Sequence, residues 1–110
     1  MPADPFIAIW EFTVPADRTP AFIEAYGPAG HWAQLFRRAA GYRGTELYQD
    51  REAPQRFVTI DFWLSEESWR EFRTAFAADY EALDRQCEAL ATSERALDSF
   101  ALADRRQRSL

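Results

Sequence analysis

Apolar and polar positions divide the chain into short alternating runs and longer helical stripes. Phe6 to Val14 (FIAIWEFTV) is rich in β-branched and aromatic residues and predicts a strand. Pro15 to Arg18 predicts a turn. Thr19 then suits an N-cap, with Pro20 in the first helical position. The helix so opened carries Phe22, Ile23 and Tyr26 on one side, and Gly27-Pro28-Ala29-Gly30 breaks it. A second short helix, about His31 to Arg38, sets Trp32, Leu35 and Phe36 at core spacing. Gly41 to Asp50 predicts a strand begun through glycines, and Arg51 to Gln55, with Pro54, a hairpin connection. Arg56 to Leu64 (RFVTIDFWL) is the clearest strand.

Ser65 is a good N-cap, and Glu66 and Glu67 suit the positive end of the helix behind it. Along that helix Trp69, Phe72, Phe76, Tyr80, Leu83, Cys87 and Leu90 recur every three or four residues. A break is expected near Ala77-Ala78-Asp79 and an exit at Thr92-Ser93. Arg95 to Ala103 predicts the last strand. The order strand, helix, strand, strand, helix, strand predicts an α+β, ferredoxin-like βαββαβ fold. One domain is expected over residues 1–110, with a core of about 6–103 and a tail over 104–110.

Alternate side chains of a strand face opposite ways. In Arg56 to Leu64, one face carries Val58, Ile60, Phe62 and Leu64, and the other Phe57, Thr59, Asp61 and Trp63. Both faces therefore call for cover. The helices of this fold lie on one side of the sheet, so a homodimer packed sheet to sheet is expected to cover the other.

Composition narrows the chemistry. All 13 basic residues are Arg, and the net charge is -5. An acidic chain without a basic stripe does not suit nucleic acid. The basic cluster Arg105-Arg106-Gln107-Arg108 is read as a solvated end. Without Lys there is neither a Schiff base nor a phosphate-loop lysine, and Gly27, Gly30, Gly41 and Gly44 form no nucleotide fingerprint. Cys87 is the lone cysteine and His31 the lone histidine, which excludes an intrachain disulfide and His-rich metal sites. No signal peptide or membrane span is read, and the cytosol is the default location.

Two stretches, Ala39 to Tyr48 (AAGYRGTELY) and Phe57 to Trp69 (FVTIDFWLSEESW), resemble the second strand and the third strand with its following helix in antibiotic biosynthesis monooxygenase domains. Judged by element order, the resemblance extends over roughly residues 6 to 103. It implies a dimeric α/β barrel with a pocket between sheet and helices in each subunit. It further implies oxygenation of a small phenolic, quinol or polyketide-like aromatic without metal or flavin, so no cofactor is expected. In that chemistry a base deprotonates an electron-rich aromatic, whose anion reduces O2. The resemblance sets Trp63 where anthrone monooxygenases carry a pocket Trp, and Thr59 where they carry an Asn. Their Tyr falls at Trp69, and their helix Arg near Leu83. The haem-degrading branch needs an Asn and a helix His that this chain does not supply, since it has no Asn and its His lies elsewhere.

The candidate catalytic residues are His31, Asp61 and Trp63. His31 opens a helix, whose positive end favours the neutral, basic imidazole; it is equally well an exposed histidine at a helix start. Asp61 shares a face with Thr59 and Trp63. It either pairs with Arg56 or Arg43, with Glu11 and Glu46 in the same network, or stands as a base with a raised pKa. Trp63 suits stacking on a flat ligand or a place in the core. Thr59, Trp32, Trp69, Tyr26 and Tyr80 are candidates for binding the substrate, with core packing the alternative for the aromatics. Cys87 reads as a small buried hydrophobe. Three functions stay open: a cofactor-free monooxygenase, a non-catalytic dimeric module binding a similar ligand, and a structural dimer whose aromatics are only core. A cavity of roughly 300 Å3 or more, lined by Trp63 and reached by His31 or Asp61, is the expected mark of the first two, and a filled core that of the third.

Overall fold

The computed structural model describes residues 4–104, so the basic cluster at Arg105 to Arg108 lies outside the described residues. Strands β1 (Phe6–Thr13), β2 (Tyr42–Gln49), β3 (Arg56–Trp63) and β4 (Ser93–Ala101) form one antiparallel sheet in the order β2-β3-β1-β4. Helices α1 (Thr19–Tyr26) and α2 (His31–Phe36) join β1 to β2. Helices α3 (Glu66–Ala75) and α4 (Ala77–Cys87) join β3 to β4. This is the ferredoxin-like α+β arrangement read from the pattern.

Local differences have local causes. A 3-10 turn over Ala16–Arg18 precedes α1, and Thr19 is already helical. The Thr19 hydroxyl donates to the Pro15 carbonyl at 3.3 Å instead of accepting as a cap. Ser65 does cap α3, accepting from the Ser68 amide at 3.1 Å. The long apolar stripe breaks at Phe76 (φ -113°, ψ 26°), one residue before the expected stretch. The side chains of the stripe still pack on the core on both sides of that break.

Register decides what the sheet presents. Trp10 pairs with Thr59 and Ala8 with Asp61, so even positions of β1 share a face with odd positions of β3. That face carries Phe6, Phe12, Phe57 and Trp63 under Phe22, Trp32, Phe36 and Phe72 of the helices. The rings interlock, with Phe22 stacked on Tyr26 at 4.4 Å and Phe36 edge-on to Phe72 at 5.2 Å. Each such pair is worth about 0.5–1.5 kcal/mol beyond its buried area.

The opposite face carries half-buried Ile7, Ile9, Val58, Ile60 and Phe62, with Phe100 exposed. Pro5, Ile7, Ile60, Phe62 and Phe100 line an apolar groove there. Glu11, paired with Arg56 and Arg95, and Asp50, paired with Arg56, border that face. Among the described residues no helix is long and apolar enough to cross a membrane.

Candidate active site

Between the inner sheet face and the helices lies a cavity of about 250 Å3. Trp10 and Phe12 of β1, Thr45 of β2, and Thr59 and Asp61 of β3 line its sheet side. Tyr26, Trp32, Phe36 and Tyr80 line the helix side. Arg73, Asp84 and Glu94 also line it and are exposed, which marks where it opens. An apolar cavity of about 150 Å3 already holds a benzene-sized guest. The space here therefore suits a guest of one or two rings.

Asp61 is the chemically distinctive wall residue. It is 7% exposed, and burial raises its carboxyl pKa from 3.8 to about 7, partly opposed by a hydrogen bond from Thr45. The Thr45 hydroxyl donates to Oδ1 at 2.8 Å. Among the described residues no arginine pairs with it. The expected pairing with Arg56 or Arg43 is corrected by strand geometry. Arg56 is five residues from Asp61, hence on the other face, where it binds Glu11 and Asp50. Arg43 turns to the carbonyls of Ala40 and Tyr42. Glu11 likewise faces away, and Glu46 accepts from Tyr48 at 2.5 Å, so neither joins an Asp61 network.

Thr45 reaches Asp61 because Thr45 and Asp61 are paired across β2 and β3. Tyr42 stands three residues earlier, which in a regular strand would put it on the other face. The register shifts between Tyr42 and Gly44, where Gly44 has φ +137°. This bulge adds a residue and returns Tyr42 to the inner face, its hydroxyl 2.6 Å from Thr45 Oγ1.

Of the residues picked from sequence, Asp61, Thr59, Trp32, Tyr26 and Tyr80 line the cavity. His31, Trp63 and Trp69 do not. Trp32 points inward, and a one-residue step of about 100° around a helix turns His31 out to solvent. Trp63 is 2% exposed, locked among Phe36, Tyr42 and Phe72 at 5.3–5.6 Å. Trp69 packs on Phe6, and the Arg73 guanidinium lies over it. Sequence reasoning missed Thr45, whose signal needs the hairpin register, and Arg73, which extends over the Tyr80 ring at 4.4 Å.

Tyr26, Tyr80 and Glu94 on the cavity wall, and Tyr42 behind it, are pushed toward their neutral forms. Burial raises the pKa of Tyr26, Tyr80 and Tyr42. Burial, then the nearby Asp84, raises that of Glu94. Burial also raises that of the Cys87 thiol in the adjoining core. Trp32 Nε1 lies near Tyr26 and Cys87 but meets no acceptor at hydrogen-bonding geometry, and Trp63 Nε1 meets none either. Among the described residues no three His, Cys, Asp or Glu side chains gather to hold a metal ion.

The sequence profile described as antibiotic biosynthesis monooxygenase matches residues 5–83. Solved structures share the fold. SnoaB, a cofactor-independent oxygenase from Streptomyces nogalater, is 23% identical, with 93% of this chain and 96% of that one covered and a TM-score of 0.61. PA3566 from Pseudomonas aeruginosa is 19% identical, with 94% and 99% covered and a TM-score of 0.67. SO0527 from Shewanella oneidensis is 20% identical, with 90% and 91% covered and a TM-score of 0.66. No curated protein matches by sequence.

Proposed function

This chain belongs to the antibiotic biosynthesis monooxygenase family, and on that premise we propose that it is a cofactor-independent oxygenase of a small aromatic substrate with Asp61 as its base. The observation that carries this reading is one buried carboxyl, without a cation among the described residues, on the wall of an aromatic cavity. A base works best when its pKa lies near the working pH, and burial brings Asp61 to about 7.

The chemistry needs little else from the protein. Asp61 takes a proton from an acidic C–H or O–H of a phenol, quinol or anthrone-like ring. The ring anion passes an electron to O2, and the two radicals join in a carbon–oxygen bond. At a CH2 carbon the peroxide anion takes back the proton from Asp61, and the resulting hydroperoxide loses water and leaves a carbonyl. One oxygen atom enters product, the other leaves as water, and the substrate supplies all four electrons. Trp10, Trp32 and Tyr80 supply ring faces that orient a flat guest and keep bulk water from the anion.

The test is O2 uptake with a panel of phenols, quinols and anthrones, beside binding followed by tryptophan fluorescence. Asp61→Asn is expected to lower uptake at least about 100-fold while binding persists. Uptake unchanged in Asp61→Asn overturns the assignment of the base. Binding across the panel without any uptake favours instead the non-catalytic module, a reading to which the outward His31 and the core position of Trp63 lend support.

The same proposal includes a homodimer. Ile7, Ile9, Val58, Ile60, Phe62 and Phe100 form an apolar patch on one face of the sheet, and a second copy of that sheet is its economical cover. Sedimentation is expected to show a dimer at micromolar concentration that Ile60→Glu dissociates. A wild-type monomer there refutes it.

A further inference from the structure

We propose that Thr45 and Tyr42 are positioning residues that decide which oxygen of Asp61 carries the proton, so that the base has one fixed working face. The inference rests on the reading of Asp61 as the base. Thr45 has a single hydroxyl hydrogen and two oxygen neighbours, Asp61 Oδ1 at 2.8 Å and the Tyr42 hydroxyl at 2.6 Å. An ionised Asp61 can only accept, so Thr45 gives it that hydrogen. Tyr42 must then donate its own hydrogen to Thr45. Both bonds run in one direction, Tyr42 to Thr45 to Asp61.

Oδ1 is thereby held as an acceptor. Among the described residues Oδ2 accepts no hydrogen bond, and it is not among the buried polar atoms left without partners, so it keeps accessible surface. Asp61 lines the cavity, and that surface faces it. A proton arriving from a bound substrate settles on Oδ2. Without the two hydroxyls the carboxyl is free to rotate about Cβ–Cγ, and either oxygen takes the proton.

The device is built by the bulge. Nothing lies within 4 Å of a Cβ added at Gly44, so the glycine is there for its φ of +137° and not for space. The bulge brings Tyr42 inward, where Phe36 and Trp63 hold its ring at 5.5 and 5.4 Å. Trp63, absent from the cavity wall, thus buttresses the residue that orients the base. The other titratable groups at the cavity are Tyr26, Arg73, Tyr80, Asp84 and Glu94, and none of them is hydrogen-bonded to Asp61.

The test needs no substrate. Infrared difference spectra of the full-length protein across the Asp61 titration, with Asp61→Asn as blank, isolate the C=O stretch of the neutral carboxyl. If the proton sits on Oδ2, the carbonyl is Oδ1 and accepts from Thr45, which lowers its frequency. Thr45→Val is then expected to shift the band up and to raise the titration midpoint, increasing the proton affinity about tenfold. Thr45→Ser is expected to restore both. Tyr42→Phe, the variant to rely on if Thr45→Val does not fold, is expected to shift both in the same direction by less. A band and midpoint unmoved by Thr45→Val or by Tyr42→Phe overturn the proposal. Loss of the oxygenase reading, by contrast, shows in O2 uptake and leaves these spectra as they are.

Discussion

Asp61 gives the fold a pH dependence that a single substitution isolates. Its pKa is about 7 in the folded chain, raised by burial from the ordinary 3.8. Between about pH 4 and pH 7 the folded state therefore holds a proton that the unfolded chain releases, and stability falls as pH rises. At about 1.4 kcal/mol for each tenfold change, the gap amounts to about 4 kcal/mol, fully present below pH 4 and lost above pH 7. Asp61→Asn keeps the shape and an oxygen to accept from Thr45, but does not titrate. Urea unfolding of both proteins between pH 4 and pH 8, at one fixed protomer concentration, should give near-equal stabilities at the acid end. At pH 8 the variant should be ahead by up to about 4 kcal/mol. Glu94, raised by burial, and Glu11 and Asp50, held down chiefly by Arg56 and by the amides of Glu52 and Ala53 respectively, act alike in both proteins and cancel in the difference. Parallel curves for the two proteins would refute the reasoning, because they would mean that Asp61 is ionised in the fold at no cost.

Three further outcomes test the scaffold. Gly41→Ala would drive its Cβ into the Ser68 side chain and disturb the Ser65 cap of α3, with an expected loss of about 1–3 kcal/mol in urea unfolding. Gly44→Ala meets no atom but must hold φ +137°, so a similar loss of about 1–3 kcal/mol is expected, together with a changed Asp61 titration as Tyr42 moves. Phe72→Ala empties a site 2% exposed and ringed by Phe36, Trp63 and Phe76, with an expected cost of about 3–5 kcal/mol in thermal or urea unfolding.

How far the sequence could be read turns on particular residues. The period of two along Arg56 to Trp63 put Thr59, Asp61 and Trp63 on one face, and all three are buried together. The same parity also excludes Arg56 as a partner for Asp61, so that correction was legible in the chain. The outward turn of His31 follows from the inward Trp32 beside it and was legible as well. Thr45 and Tyr42 were not. Their meeting with Asp61 depends on which residue of β2 lies opposite Asp61, and on a bulge that moves Tyr42 across the sheet. A glycine at 44 permits that bulge but does not announce it. The face of Trp63 was legible but its neighbours were not, since Phe36 and Phe72 arrive from helices whose rotation no strand pattern determines.

The fold treats its carboxylates in two ways, and the contrast bears on function. Glu11 takes two arginines at the surface, and its carboxyl is held below the ordinary range. Asp61 receives one neutral hydroxyl in the interior, and at neutral pH its burial costs several kcal/mol of a total stability that for a domain of this size is about 5–15 kcal/mol. Among the described residues no ion pair offsets that cost. An apolar side chain in its place would fill the cavity wall without it. A buried acid without a cation, facing an aromatic space through one free oxygen, makes sense as a group meant to gain and lose a proton there. The stability difference between Asp61→Asn and the wild type at pH 8 therefore measures what the fold gives up to hold the base. The loss of oxygen uptake in the same variant measures what it obtains in return. A gain in stability without a loss of uptake would separate the two and leave Asp61 as a defect of packing.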